Sequence, residues 1–239
     1  MTLPSSRATP PAPAWSVDAL VATVRTQLTA AADPAKASAM AAYMKTAMPF
    51  YGVPNPGRTA ILRRLKQEFP ITDAARYQEA VLALWAQPQR EEKYLAIALA
   101  MAWPAFVTRE AMPLYERLIR EGAWWDFVDD VAIRLVGKVW MEDRAWASPL
   151  MDAWIEDPDP WIRRAAIIGQ IKHKPATDEA RLFDYCRRRA GESGFFIRKA
   201  IGWALREYAR TAPQAVREFL ATHRAALSGL SYREAGRHL

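Results

Sequence analysis

The sequence predicts an all-α fold, and three observations carry that prediction. Glycine is scarce, at 10 of 239 residues, whereas alanine is abundant. The 17 prolines fall mainly between segments. Within those segments apolar residues recur every three or four positions, the spacing of one helix face, and no stretch alternates as a half-buried strand does.

Taken in order, the first helix covers residues 17–32, with Ser16 as its N-cap. Helices follow at 35–47, 58–69, 74–86 and 91–102. The next, 110–120, has Thr108 as a candidate cap, and 124–140 and 145–155 come after it. At 160–172 the start is marked twice, by Asp159 as N-cap and by Pro160 at the first helical position, where a missing N–H costs nothing. The last helices read from the pattern are 178–189, 195–209 and 213–223. Residues 1–15 read as a disordered tail, since Met1 to Ala14 hold four prolines and no apolar run able to act as a secretory signal. Residues 16–239 read as a single repeat domain.

The repeat shows when helices are compared with one another. Trp161-Ile-Arg-Arg-Ala-Ala-Ile and Phe196-Ile-Arg-Lys-Ala-Ile-Gly match at an offset of 35. The same step links Ala96, Val131, Ala166 and Ile201, and in the partner helices Tyr115, Leu150, Tyr185 and Leu220. Two helices per repeat of this length describe an α-solenoid of HEAT-like repeats, in which each pair buries its apolar face by stacking on its neighbours. Such a fold implies a concave face of equivalent helices. From Tyr94 the step reaches Asp129, Arg164 and Lys199, which should project similarly from successive inner helices.

Composition narrows the function. The chain carries 33 Lys+Arg against 26 Asp+Glu, a net charge of +7. Residues 160–239 hold 16 basic and 7 acidic side chains, so that third carries +9 and the remainder −2. A concentrated positive field serves a polyanion, nucleic acid first, or else reflects solvated arginine-rich helix faces. One cysteine, Cys186, excludes an internal disulfide framework, and the scattered His173, His223 and His238 lack metal-ligand spacing. No window supplies the apolar run of a membrane helix. The expectation is a cytoplasmic monomer with no cofactor and no membrane role.

The segment Trp124-Trp-Asp-Phe-Val-Asp-Asp130 is the most informative. On an ideal wheel Trp124, Val128, Val131, Leu135 and Val139 form a core stripe. Asp130 pairs with Arg134 at i,i+4, and Asp126 suits the positive N-terminus of its helix. Asp129 shares its flank with Trp125, Ile133, Val136 and Trp140. A carboxylate there is either neutralised by a base such as Arg164 of the next repeat or faces a groove that a ligand fills. Lys199, with Trp203 one turn on and Arg206 and Arg210 beyond, frames that acid with indoles and cations suited to a cationic group held against phosphates.

Trp125 with Asp129, the Arg-Ala-Ala at Arg164, the run from Phe196 through Trp203 to Ala209, and the closing Ser231-Tyr-Arg-Glu-Ala together resemble the AlkD family of HEAT-like-repeat DNA glycosylases. The likeness runs from Tyr43 to the C-terminal end. It implies Trp125, Asp129 and Trp203 as the catalytic cluster, Arg164 as a DNA-contacting arginine beside the lesion, and Tyr43 as a contact to the DNA backbone. Pro54, in the loop Phe50-Tyr-Gly-Val-Pro-Asn55, departs from the polar residue expected of close relatives. The implied activity is excision of N3- and N7-alkylated purines from duplex DNA, without base flipping. Lys199, Arg198 and Arg206 are the expected phosphate contacts. A non-catalytic binder of branched or distorted DNA and a protein-binding helical scaffold are the alternative readings.

Overall fold

The computed structural model describes residues 15–239, and no strand occurs among them. Most of the expected tail lies outside the described residues. Trp15, its last member, does not belong to it: the indole Nε1 donates to the Pro70 carbonyl at 2.8 Å, and the ring packs edge-on against Phe69. The chain divides into two compact units, Met1–Ala102 and Trp103–Leu239, each described by itself.

In the first unit, α1 (Val17–Ala30), α2 (Pro34–Met44), α3 (Asn55–Glu68), α4 (Ala74–Trp85) and α5 (Arg90–Ala102) succeed one another. Ser16 caps α1 as expected, its hydroxyl accepting from Ala19 N at 3.1 Å. Leu20, Val24 and Leu28 on α1 are fully buried, against α3, α4 and α5. Each such side chain contributes roughly 1.5–3 kcal/mol. The loop from α2 to α3 is held from α5. Glu91 is buried, and its carboxylate accepts from the backbone N–H groups of Tyr51, Gly52 and Val53 at 2.8–3.0 Å. Gly52 has φ +86°, and a Cβ there would lie 2.1 Å from the Asp33 carbonyl oxygen, so only glycine fits.

The second unit begins with α6 (Met112–Gly122), preceded by a 3-10 turn, Arg109–Ala111. The expected Thr108 cap is absent, because its hydroxyl bonds the Glu110 side chain and the helix starts a turn later. Next comes one continuous rod of three segments: α7 (Trp125–Asp130), a π-helical stretch (Val131–Val136) and α8 (Gly137–Glu142). Then follow α9 (Arg144–Trp154), α10 (Pro160–Ile168), α11 (Glu179–Arg188), α12 (Phe195–Ala209), α13 (Pro213–Thr222) and α14 (Gly229–Ala235). Asp159 caps α10 as expected, accepting from Trp161 N at 2.9 Å. The helices α7, α10, α12 and α14 pack in that succession, the stacking of an α-solenoid of helical repeats. Val131, Ala166 and Ile201, one 35-residue step apart, are all buried, as are Tyr115, Tyr185 and Leu220, whereas Leu150 is half-buried.

The π-helical stretch is the one irregularity in the rod. Gly137 N donates to Ala132 O, five residues back, which inserts an extra residue into the turn. Its position coincides with a close approach of backbones, since a Cβ on Gly137 would lie 2.3 Å from the Gly169 carbonyl oxygen. His173 Nε2 donates to the Gly137 carbonyl at 2.7 Å and ties the same point to the segment after α10. Gly137→Ala must therefore push one backbone away from another rather than move a side chain. The expected cost is about 1–3 kcal/mol, seen as a lower urea midpoint at unchanged slope; an unshifted midpoint would show that the two backbones are not in contact.

Candidate active site

The rod positions the acid. Trp125 opens α7 and Asp129 follows one turn later on the same face, so both side chains reach the same side of the second unit. They line a cavity of about 490 Å³, to which α10 contributes Arg164 and α12 contributes Phe195, Phe196, Lys199, Trp203 and Arg206. The C-terminal segment completes it with Glu234 from α14 and Arg237 just beyond. A separate cavity of about 270 Å³ holds Lys174, Glu207 and Arg210, so Arg210 does not join Arg206 beside Asp129, where the sequence placed it.

Asp129 is neutralised by Arg164, the first reading that the sequence left open, and it also borders the cavity. Its carboxylate takes a bidentate pair from Arg164, Nε to Oδ1 and Nη2 to Oδ2, each at 2.7 Å. It also faces the cavity, with 15% of the side chain exposed against 4% for Arg164. The remaining Arg164 nitrogen, Nη1, donates to the Phe196 carbonyl at 2.6 Å. All the guanidinium nitrogens thus bond to the protein itself, so Arg164 acts here as the holder of Asp129. Burial pushes the Asp129 carboxyl above the usual aspartate range, Arg164 offsets some of that rise, and Asp130 and Asp126 add to it.

The wheel misplaced two tryptophans. Trp124 is the half-buried N-cap of α7 rather than core, and its ring stands 6.0 Å from Trp161 and 5.3 Å from Phe196. Trp140 does not stand beside Asp129. It is fully buried and donates Nε1 to Ser148 Oγ at 3.0 Å, because the extra residue in the π-helical stretch turns it away from the cavity face. Ile133 and Val136 are likewise core. The expected Asp130–Arg134 pair forms at 3.0 Å.

The basic candidates divide. Lys199 Nζ donates to Glu234 Oε2 at 2.6 Å, and Arg206 Nη1 also bonds Glu234. Burial, together with the charges of Arg237, Arg206 and Arg164, lowers the Lys199 pKa. Arg198 does not line the cavity, and its carbonyl accepts from Ser231 Oγ. Tyr43 lies in the first unit near the end of α2 and is 75% exposed. Tyr94, also in that unit, accepts a hydrogen bond from Arg90 and carries Arg58 over its ring. Glu234, with Phe195 and Arg237, is among the cavity residues missed in the sequence. One more 35-residue step from Lys199 lands on it.

Among the described residues no cluster of His, Cys, Asp and Glu could hold a metal ion. No helix there is long and apolar enough to cross a membrane. Cys186 is buried, and burial raises its thiol pKa.

The profile of the DNA alkylation repair enzyme family matches residues 24–239. A solved structure described as a predicted DNA alkylation repair enzyme from Enterococcus faecalis superposes with a TM-score of 0.80 at 29% identity, over 87% of this chain and 96% of that one. The smu.31 protein from Streptococcus mutans UA159 shares the fold, with a TM-score of 0.57 at 15% identity over 74% of this chain and 90% of that one. No curated protein matches in sequence.

Because the Asp129 carboxyl holds its proton more tightly folded than unfolded, its stabilising contribution is full below the ordinary value of 3.8 and declines as pH rises toward the folded value. Arg164 limits that decline. Arg164→Ala is expected to cost about 3 kcal/mol at neutral pH and distinctly less at acid pH, as the orphaned carboxyl takes up a proton. Urea unfolding at both pH values measures this, and a pH-independent loss would mean that pairing with Asp129 is not what Arg164 contributes.

Proposed function

The chain belongs to the DNA alkylation repair enzyme family, and on that premise we propose that it is a DNA glycosylase that hydrolyses the N-glycosidic bond of N3- and N7-alkylated purines in duplex DNA. The observation that carries the reading is Asp129, a carboxylate held by two hydrogen bonds from Arg164 in a cavity that also presents Trp125 and Trp203.

The chemistry asks for little else. A purine alkylated at N3 or N7 is already a cation. When the bond to C1′ breaks, both electrons go to the base, which leaves neutral and needs no general acid. Among the described residues no histidine lines the cavity. Positive charge then develops on the deoxyribose, where a fixed anion stabilises it electrostatically. Water adds to C1′ and its proton passes to Asp129 or to solvent. The faces of Trp125 and Trp203 favour the same cationic sugar. A fixed carboxylate costs no reorganisation at the moment of reaction, and the Arg164 fork supplies that fixity. Lys199 and Arg206 contact phosphates, and Tyr43 is a further backbone contact. Such contacts position the protein without reading base sequence.

Asp129→Asn keeps the size of the side chain and removes its charge. Release of N7-methylguanine from alkylated duplex DNA is expected to fall by at least about 100-fold, with duplex binding retained. Wild-type release by the mutant would overturn the mechanism, and duplex binding without any release by the native chain would point instead to a non-catalytic binder.

Lys199→Ala is expected to make log Kobs against log salt shallower by about one unit in a duplex-binding titration. An unchanged slope would remove Lys199 from the phosphate contacts.

A further inference from the structure

Glu234 is 2% exposed, and its carboxylate gathers cations from two elements. Lys199 and Arg206 reach it from α12, at 2.6 Å in the case of Lys199, and Arg237 reaches it at 3.4 Å from its own segment. The close seat of α14 on α12 makes this possible, since a Cβ on Gly202 would lie 2.5 Å from Glu234 Cβ. Three cations on one carboxylate leave a surplus of positive charge. Glu207, 3.6 Å from Arg206 Nε, does not remove it, because Glu207 also serves Arg210 at 3.5 Å. Arg206 Nε is itself buried and has no hydrogen-bond acceptor. Lys199 is 36% and Arg237 60% exposed, so the cluster opens on the cavity that holds Asp129.

A buried carboxylate and its cations form a stable set when the charges balance and the donors are satisfied. This set carries two more positive charges than negative ones. We propose that Glu234 is a positioning residue that assembles Lys199, Arg206 and Arg237 into a phosphate site, and that a DNA backbone phosphate beside the nucleotide whose sugar faces Asp129 offsets part of their surplus charge. The inference rests on the glycosylase reading for the identity of that nucleotide, but the phosphate site itself requires only that the chain binds DNA. The lowered pKa of Lys199, due to burial and then to Arg237, Arg206 and Arg164, agrees with a surplus of cations awaiting an anion. Glu234 acts through these cations and does not touch the reacting atoms.

The sign of one measurement separates this role from that of a simple counter-charge. Glu234→Gln removes a negative charge from the face that meets DNA. If Glu234 merely offsets its neighbours, the variant binds duplex DNA more tightly with a steeper salt dependence. If it positions them, the variant binds more weakly, and log Kobs against log salt becomes shallower by about one to two units. Binding of an unmodified duplex by the full-length chain is read by fluorescence anisotropy across a salt series, alongside single-turnover release of N7-methylguanine. We expect the shallower slope and a release rate about 10- to 100-fold lower. Lys199→Met should then have little further effect in the Glu234→Gln background. A steeper or unchanged slope, or equal effects of Lys199→Met in both backgrounds, overturns the proposal. Should Glu234→Gln fail to fold by circular dichroism, Glu234→Asp keeps the charge and shortens the reach by one methylene. The same flattening, at reduced size, is expected of it, and an unchanged slope overturns the proposal. If the native chain releases no base yet the slope flattens, the glycosylase reading fails while the phosphate site stands.

Discussion

The bidentate pair between Asp129 and Arg164 is the contact on which the geometry of the second unit's cavity depends. Desolvating a guanidinium and a carboxylate together costs several kcal/mol per ion, which their attraction offsets only when the geometry is good and the leftover donors are satisfied. Both conditions hold: the two forks align, and the remaining Arg164 nitrogen finds the Phe196 carbonyl. One guanidinium thereby joins α7, α10 and α12, the helices that also carry Trp125 and Trp203. An acid on an exposed helix face would sample several rotamers; this one has a single direction.

The 35-residue period made much of this legible before any coordinates. A solenoid repeats its burial pattern, so equivalent positions such as Val131, Ala166 and Ile201 must all be apolar, and they are all buried. The polar step from Asp129 to Arg164 became a direct contact for the same reason. What the sequence hid has physical causes. The wheel assumed 3.6 residues per turn throughout, whereas tertiary contact at Gly137 accompanies a π-helical stretch, and the place given to Trp140 across it lost its register, although Val139 stayed in the core. The helix Gly229–Ala235 is seven residues long, too short for a periodic pattern to declare itself, so Glu234 went unread as a wall of the cavity.

Adjacent acids in a first helical turn look like complements to the helix dipole, and Glu91 and Glu92 gave no other sign of themselves. In the structure both are buried. Glu91 holds the loop that carries Gly52, and Glu92 accepts from the Tyr51 hydroxyl at 3.0 Å and from Gln89 N at 2.8 Å. Their partners are mostly backbone N–H groups, which sequence patterns do not name. The loop after Tyr43 is therefore shaped by α5 as well as by its own Gly52, and the exposure of Tyr43 is set against a fixed support.

Charge distribution raises a different problem, that of keeping opposite charges apart within one cavity. Many of the basic side chains of residues 160–239 are engaged in local pairs: Arg163 with Glu192, Arg181 with Asp152 and Asp178, Arg187 with Asp184, and Arg188 with Glu156 and Asp184. Pairing leaves the total unchanged and decides where the field emerges. Around the cavity, the carboxylate of Asp129 must not collapse onto Lys199, Arg206 and Arg237, or each charge would neutralise the other. The 35-residue ladder segregates them. Asp129 is committed to Arg164, a buried guanidinium with no nitrogen left to offer, while Lys199 is committed to Glu234 one repeat later. Each charge thus has a nearer partner than the opposite charge of the neighbouring pair, and the cavity can present a fixed negative site and a fixed positive site side by side.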